Sequence, residues 1–342
     1  MLFEHPEFDD HERVVFVNDR ASGLRAIVAL HSTALGPAAG GCRLWSYPNS
    51  DAALTDALRL SRGMTLKNAA ADLPLGGGKA VVLEPPGPFD RQAFMEAFGR
   101  AVEGLGGAYW TAEDVGTSVA DMAAAGRHTR YVAGRRDPSP YTARGVVACL
   151  RAAALSCLGK AELRGLRVAV QGLGHVGGRV AELLAENGAT LVLADLDEAK
   201  AQEFAHRLDA MAVPTAEVHA AAVDVFAPCA LGGVLDARTI PAVRARLVCG
   251  AANNQLATPE DAARLQAAGI TYAPDFIVNA GGICSVAAEI LGIDDPRWLE
   301  SKLEGLGRTL CTVLDSAAAS GRTPEAEAEA LARDRIAAGR RT

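Results

Sequence analysis

Short apolar runs bounded by glycine or charge recur between residues 165 and 285. Arg167-Val168-Ala169-Val170-Gln171 is the first and Leu191-Val192-Leu193-Ala194-Asp195 the second. Val223-Asp224-Val225-Phe226, Arg246-Leu247-Val248-Cys249 and Ile270-Thr271-Tyr272-Ala273 follow, with a weaker run at Met211-Ala212-Val213. Continuous apolar runs, as opposed to alternating ones, mark strands covered on both faces, and stretches of helical character separate them. The segment predicts a doubly wound α/β domain with a parallel sheet. Residues 1–140 follow a different α/β pattern. Runs at 14–17, 24–30, 79–83 and 108–111 predict strands. Residues 51–71 set Leu54, Leu58 and Leu60 in a helical context that Ser50 would cap. Residues 142–158 are apolar, alanine-rich and free of proline, which predicts a helix packed between the two parts. Pro324 opens a last helix with basic residues at its end, as the helix dipole favours.

Composition narrows the class without changing this layout. The chain has 342 residues, enough for two domains, and is 49% hydrophobic and 22% charged, which excludes long disorder. A formal charge of −7 with no run of five like charges argues against nucleic acid as a partner. The first residues do not read as a signal peptide, and no uncharged apolar stretch is long enough for a membrane span. A soluble, cytoplasmic protein is expected. Seven cysteines, at 42, 149, 157, 229, 249, 284 and 311, are scattered without a Cys-x-x-Cys, so they read as reduced thiols. The histidines form no metal-binding pair, and no metal site is expected.

Three local patterns carry chemistry. Gly172-Leu173-Gly174-His175-Val176-Gly177 follows a predicted strand and opens a helix, with Asp195 placed 18 residues beyond Gly177. In that setting glycines let a pyrophosphate approach a helix N-terminus and the acid receives ribose hydroxyls, so the segment predicts dinucleotide binding. Asp195 would repel a 2′-phosphate, and Leu196-Asp197 offers no arginine, so NAD is expected over NADP. Gly76-Gly77-Gly78-Lys79 is not a phosphate loop, because Leu73 stands where the first glycine is needed and Ala80 where Ser or Thr is needed. Lys79 and Lys67 instead sit among apolar and small residues. Burial and a neighbouring cation are the conditions under which an ammonium group becomes a base near neutral pH. Asp114 follows an apolar strand, where α/β sites gather their polar groups.

These residues resemble the amino acid dehydrogenases of the glutamate, leucine, phenylalanine and valine type. The likeness rests on Gly36-Pro37-Ala38-Ala39-Gly40-Gly41, Gly63-Met64-Thr65-Leu66-Lys67, Gly76-Gly77-Gly78-Lys79 and residues 111–117. It continues through the dinucleotide fingerprint, Ala227-Pro228-Cys229-Ala230, Gly250-Ala251-Ala252-Asn253-Asn254-Gln255, Ala273-Pro274-Asp275 and Asn279-Ala280-Gly281-Gly282. The segments lie in order over nearly the whole chain. The resemblance implies an N-terminal catalytic and oligomerisation domain (1–140), a Rossmann-like NAD domain (141–322), a cleft between them and a homo-oligomer. The last helix (323–342) would pack back on the first domain or reach a partner subunit.

The same resemblance implies roles. Lys67 would hold the substrate α-carboxylate, helped by the backbone at Gly40 and by Asn254. Lys79 would act as general base through a water, and Asp114 would exchange protons with the amino group and departing ammonia. Thr142, Ala227, Pro228, Cys229, Ala251 and Asn279 would join Gly172, Gly174, His175, Val176, Gly177 and Asp195 around the cofactor. Glutamate-specific relatives carry a lysine where this chain has Ala39. An apolar wall cannot offset the desolvation of a second carboxylate, so an apolar L-amino acid of the Leu, Val or Ile type is expected. Ala39, Met64, Ala112, Ile283 and Val286 are the expected pocket walls. Ala39 itself resembles the phenylalanine branch, which keeps an aromatic substrate as the alternative. A 2-hydroxy acid dehydrogenase would need a well-placed histidine, and His175, His206 and His219 lie in the phosphate turn or in peripheral segments. A non-catalytic nucleotide sensor would be expected to lack Lys67, Lys79 or Asp114, and all three are present.

Overall fold

The computed structural model describes residues 2–134 and 137–339. They form two compact units. One comprises residues up to Asp137 with Val286–Asp294 and the chain from Ala332 on; the other comprises Pro138–Ser285 and Asp295–Leu331. Both draw on more than one stretch of chain, which composition along the sequence does not reveal.

The first unit is built on a five-stranded mixed sheet. Its strands β1 (Arg13–Asp19), β2 (Leu24–Ser32), β3 (Ala38–Trp45), β4 (Gly76–Leu83) and β5 (Tyr109–Glu113) lie in the order β1-β2-β4-β3-β5. β3 is parallel to β4 and β5, while β2 is antiparallel to β1 and β4. Alternate side chains face opposite ways. Ile27, Ala29 and Val81 meet Ala53, Ala57 and Leu58 of α1 (Ser50–Ala70) on one face. Val28, Cys42, Ala80 and Val82 meet Phe94, Met95 and Phe98 of α2 (Arg91–Glu103) and Met122 of α3 (Val119–Ala125) on the other.

β3 is absent from the sequence-based expectation, because Ala38-Ala39-Gly40-Gly41 has little strand propensity and pairing on both edges imposes the strand. β4 likewise begins at Gly76, three residues before the expected start. The cap of α1 is Asn49, not Ser50: the Asn49 side chain accepts a hydrogen bond from the Ala52 backbone N–H at 2.8 Å. Trp45 is 53% exposed and is no part of the core.

Two histidines fasten the start of the chain to α1. The His11 Nε2 lies 3.0 Å from Ser61 Oγ and 3.1 Å from the Leu58 carbonyl, and the His31 Nδ1 lies 2.9 Å from Thr65 Oγ1. The two rings pack edge to face at 4.8 Å. Burial, and then the charge of His11, pushes His31 down to about 4, against the opposing pull of Asp9. A folded-state value below the unfolded one favours the neutral ring. Its contribution is therefore full above about pH 6.5 and is lost as pH falls from there towards 4, about 3 kcal/mol in all. Urea denaturation of the wild type should show this loss, and His31→Asn should flatten it; equal slopes for both proteins would refute the assignment.

The second unit contains a fully parallel sheet. β6 (Arg167–Gln171), β7 (Thr190–Ala194), β8 (Met211–Ala212), β9 (Val225–Pro228), β10 (Leu247–Val248) and β11 (Thr271–Tyr272) lie in the order β11-β10-β9-β6-β7-β8. Numbered within the unit this is 3-2-1-4-5-6 read from β8, the doubly wound order whose switch point falls between β6 and β9. The helices are α4 (Ser139–Leu158), α5 (His175–Glu186), α6 (Glu198–Leu208), α7 (Glu260–Ala267), the short α8 (Asp275–Val278), α9 (Gly281–Leu291), α10 (Pro296–Ser320) and α11 (Pro324–Gly339). α9 and α11 each run from the residues of one unit into those of the other. α4 alone, among the described residues, is long and apolar enough by length and composition to cross a membrane. Its packing against α5 and α10 accounts for that character. The expected basic end of α11 lies partly outside the described residues.

Candidate active site

Glycines decide how closely the catalytic elements of the first unit approach one another. A Cβ on Gly77 would stand 2.0 Å from the Thr65 backbone nitrogen of α1. One on Gly41 would stand 2.6 Å from Asp114 Cβ, and one on Gly40 would meet the Gly78 carbonyl at 1.9 Å and Met64 Cγ at 3.2 Å. Real side chains do not tolerate the shorter of these distances, so α1 and the turn after β5 rest directly on bare backbone.

That close packing surrounds a buried ion pair. Lys79, on the α1 face of β4, is 5% exposed, and its Nζ lies 2.6 Å from Asp114 Oδ2. Arg43 of β3 donates from Nε to the same oxygen at 3.2 Å. Burial alone would raise the Asp114 carboxyl. Lys79 and Arg43 outweigh it and hold the group below its ordinary value, so it is ionised at neutral pH. The Asp114 backbone is fixed by Thr117: its Oγ1 accepts from the Asp114 N–H at 3.0 Å and donates to the Cys42 carbonyl at 2.9 Å. Beyond Arg43 the charges continue to alternate. Arg43 Nη1 donates to Asp56 Oδ2 of α1 at 3.1 Å, and the Tyr47 hydroxyl donates to the same carboxylate.

Of the other residues expected in the first unit, Met64 reaches Gly40 and Ala39 pairs with Gly77. Lys67 is half-buried in the last turn of α1, on the helix that brings Met64 to Gly40. Arg335 donates to the Ala69 and Ala70 carbonyls at 2.9 and 2.8 Å and so completes the end of that helix. Ala39 is buried between Gly77 and Trp110 on neighbouring strands. Ala112 pairs with Gly41, and a Cβ at Gly134 would lie 3.4 Å from its methyl. Val286 is buried. Arg43, Asp56 and Tyr47 are absent from the sequence-based set. The available signal was an arginine set between apolar Cys42 and Leu44 in a strand, since such a charge requires a partner.

In the second unit the glycine turn lies at the switch point. Gly172 has φ +91°, and a Cβ there would meet Ala230 at 2.7 Å; one at Gly177 would meet the Gly172 carbonyl at 1.9 Å and Cys229 Cβ at 2.9 Å. Gly174 differs: a side chain there would touch nothing within 4 Å, and no side chain caps the N-terminus of α5 that it begins. The internal packing explains two glycines, and the third borders an open cradle of backbone N–H groups suited to a pyrophosphate. His175 is exposed and Val176 half-buried in the first turn of α5. Asp195, just past β7, accepts from the Leu173 N–H at 2.6 Å and the Asp197 N–H at 3.0 Å. These bonds, with Lys200 nearby, outweigh its partial burial and lower its carboxyl.

Ala227 and Pro228 are buried at the end of β9, and burial pushes the Cys229 thiol up to about 12, which makes it a packing group. Asn279 is buried and donates from Nδ2 to Asn253 Oδ1 at 2.9 Å and the Ala251 carbonyl at 3.2 Å, while its Oδ1 has no hydrogen-bond partner. A buried orphan acceptor fits a ligand bearing an amide. Thr142 of α4 packs on Gly282, whose Cβ would meet Thr142 Oγ1 at 2.6 Å. Asn254 is exposed with φ +52°, Ile283 is half-buried, and His206 and His219 lie in α6 and in an isolated helical turn.

Comparison with known proteins is consistent over both units. The model of the Glu/Leu/Phe/Val dehydrogenase dimerisation domain matches residues 11–131, and that of glutamate/leucine/phenylalanine/valine dehydrogenase matches residues 134–199 and 192–305. The chain belongs to the Glu/Leu/Phe/Val dehydrogenase family. It is 42% identical to the leucine dehydrogenase of Bacillus subtilis, with 100% of this chain and 95% of that protein covered. To the valine dehydrogenase of Streptomyces virginiae it is 43% identical, with 98% and 96% covered. The crystal structure of L-tryptophan dehydrogenase from Nostoc punctiforme superposes with a TM-score of 0.91 at 39% identity, with both chains fully covered. Family membership makes the protein an amino acid dehydrogenase with a Rossmann-type nucleotide domain, and a nicotinamide cofactor is implied.

Proposed function

We propose that this dehydrogenase catalyses the reversible oxidative deamination of an apolar L-amino acid of the Leu, Val or Ile type, with NAD as cofactor. The observation that carries the reading is the buried contact between Lys79 Nζ and Asp114 Oδ2 at 2.6 Å, on the sheet face that α1 covers. NAD, held at Gly172, Gly174 and Gly177, would supply the acceptor for the hydride on the substrate Cα. The chain's own groups do the rest. Lys67 holds the α-carboxylate, and Asp114 takes a proton from the substrate ammonium. Lys79, made neutral by passing its proton to solvent when substrate binds, removes a proton from the water as its oxygen bonds to the iminium carbon. Asp114 then returns its proton to the carbinolamine nitrogen, the C–N bond breaks as C=O forms, the released ammonia takes up the hydroxyl proton to leave as ammonium, and the 2-oxo acid remains.

The choice of NAD rests on Asp195, whose carboxylate is ionised and close to the glycine turn, where a 2′-phosphate would meet like charge. We further propose a cytoplasmic homo-oligomer, a reading supported by the dimerisation-domain match. Steady-state kcat/KM on Leu, Val, Ile, Phe, Trp and Glu, with NAD and then NADP, tests the assignment. The aliphatic three should lead with NAD, and glutamate should be inert. Turnover of glutamate above leucine would reject the apolar pocket.

An aromatic substrate is the second reading, favoured by the small Ala39 and by the likeness to a tryptophan dehydrogenase. Ala39→Leu separates the two. It should lower kcat/KM for Phe relative to Val by about tenfold or more, the scale of a filled pocket. An unchanged ratio would show that Ala39 is not a pocket wall.

A further inference from the structure

We propose that Arg43 is a positioning residue for the reaction assigned above, holding Asp114 in place and ionised while Lys79 gives up and regains its proton. The proposal rests on that reading of Lys79 and Asp114. Asp114 is mostly buried, with 24% of its side chain exposed, and its Oδ2 is shared by Lys79 at 2.6 Å and Arg43 at 3.2 Å. A buried carboxylate keeps its charge only beside a cation. In the proposed cycle Lys79 becomes neutral, and at that stage it no longer compensates Asp114. Arg43 then remains. Burial disfavours its charge, but Asp114 and Asp56 more than offset this, and a guanidinium stays protonated over the working range.

The geometry suits a residue that fixes as well as charges. The Arg43 fork spans two elements: Nε reaches the turn after β5 through Asp114, and Nη1 reaches α1 through Asp56 at 3.1 Å. Asp56 is held in turn by the Tyr47 hydroxyl and is adjacent to Ala57, which is fully buried against the sheet. On the backbone side, Thr117 and the bare Gly41 determine where Asp114 sits. Both cations engage Oδ2, so Oδ1, to which no described side chain donates, is left for proton exchange. A lysine at position 43 could keep the charge, but one ammonium cannot serve Asp114 and Asp56 in the same forked arrangement.

The test compares wild type, Arg43→Gln and Arg43→Lys by pH profiles of kcat and kcat/KM for leucine, with NADH binding measured alongside. Arg43→Gln should lower kcat by about 10- to 100-fold and move the acid limb of kcat/KM to higher pH by about one unit. KM for leucine and NADH affinity should stay within about threefold. Arg43→Lys should keep the wild-type limb and lose about tenfold in kcat, because the charge remains and the fork does not. An unshifted limb in Arg43→Gln overturns the proposal, as does wild-type kcat in Arg43→Lys. If Arg43→Gln does not fold, Arg43→Lys decides by itself. A wild-type enzyme silent on every amino acid would instead reject the functional reading, and the wild-type arm keeps that failure separate.

Discussion

Lys79→Ala is expected to lower kcat for amino acid oxidation by about a thousandfold while leaving dinucleotide affinity nearly unchanged. The effect is large because one substitution disturbs two groups. The base is lost, and Asp114 loses the 2.6 Å contact that Lys79 made with Oδ2, so that Arg43 alone keeps it ionised and it is held less firmly towards the substrate amino group. Dinucleotide binding is spared because the glycine turn and Asp195 belong to the other unit. Single-turnover NADH formation, with NADH binding followed by fluorescence, checks both halves. Persistent turnover in the variant would contradict the role of Lys79, and loss of NADH binding would contradict the independence of the two sites.

Gly77→Ala should be among the most damaging small changes in the first unit. Its methyl would stand 2.0 Å from the Thr65 nitrogen and 2.4 Å from Thr65 Cα, which is helix backbone and not a side chain that can swing away. α1 has little freedom to retreat. Asn68 Nδ2 donates to the Gly76 carbonyl at 2.6 Å, and Arg335 holds the last carbonyls of the helix. A cost of at least about 3 kcal/mol is expected from overpacking that cannot relax. Activity should fall further than stability alone explains, because Met64 and Lys67 ride on the displaced helix. Denaturation midpoints and kcat/KM measured on the same preparation test this, and a stability within about 1 kcal/mol of wild type would show that α1 yields.

The parts of this molecule legible in the sequence are those whose signal is local. Val168-Ala169-Val170 and Leu191-Val192-Leu193 announce buried parallel strands by composition, and the glycine fingerprint between them locates the switch point. β3 was hidden, because alanine and glycine side chains carry no strand signal and its formation depends on β4 and β5. The glycines that obscured it are the ones that let Asp114 and Met64 approach. Lys79 and Asp114 were legible as residue types in a familiar arrangement. Their contact joins residues far apart in sequence and becomes visible only when β3 and β5 pair. Arg43 and Asp56 left the weakest trace, since their meaning comes from the partners the fold brings to them.

The central claim is that this dehydrogenase releases the amino group of an apolar amino acid. The most direct measurement is the stoichiometry of the reaction of purified protein with leucine and NAD, assaying NADH, ammonia and 2-oxo acid in the same sample. Equal amounts of all three, with none formed when leucine is omitted, is the predicted result. NAD bound but no product from leucine, valine, isoleucine or phenylalanine, or NADH formed without ammonia, would contradict it.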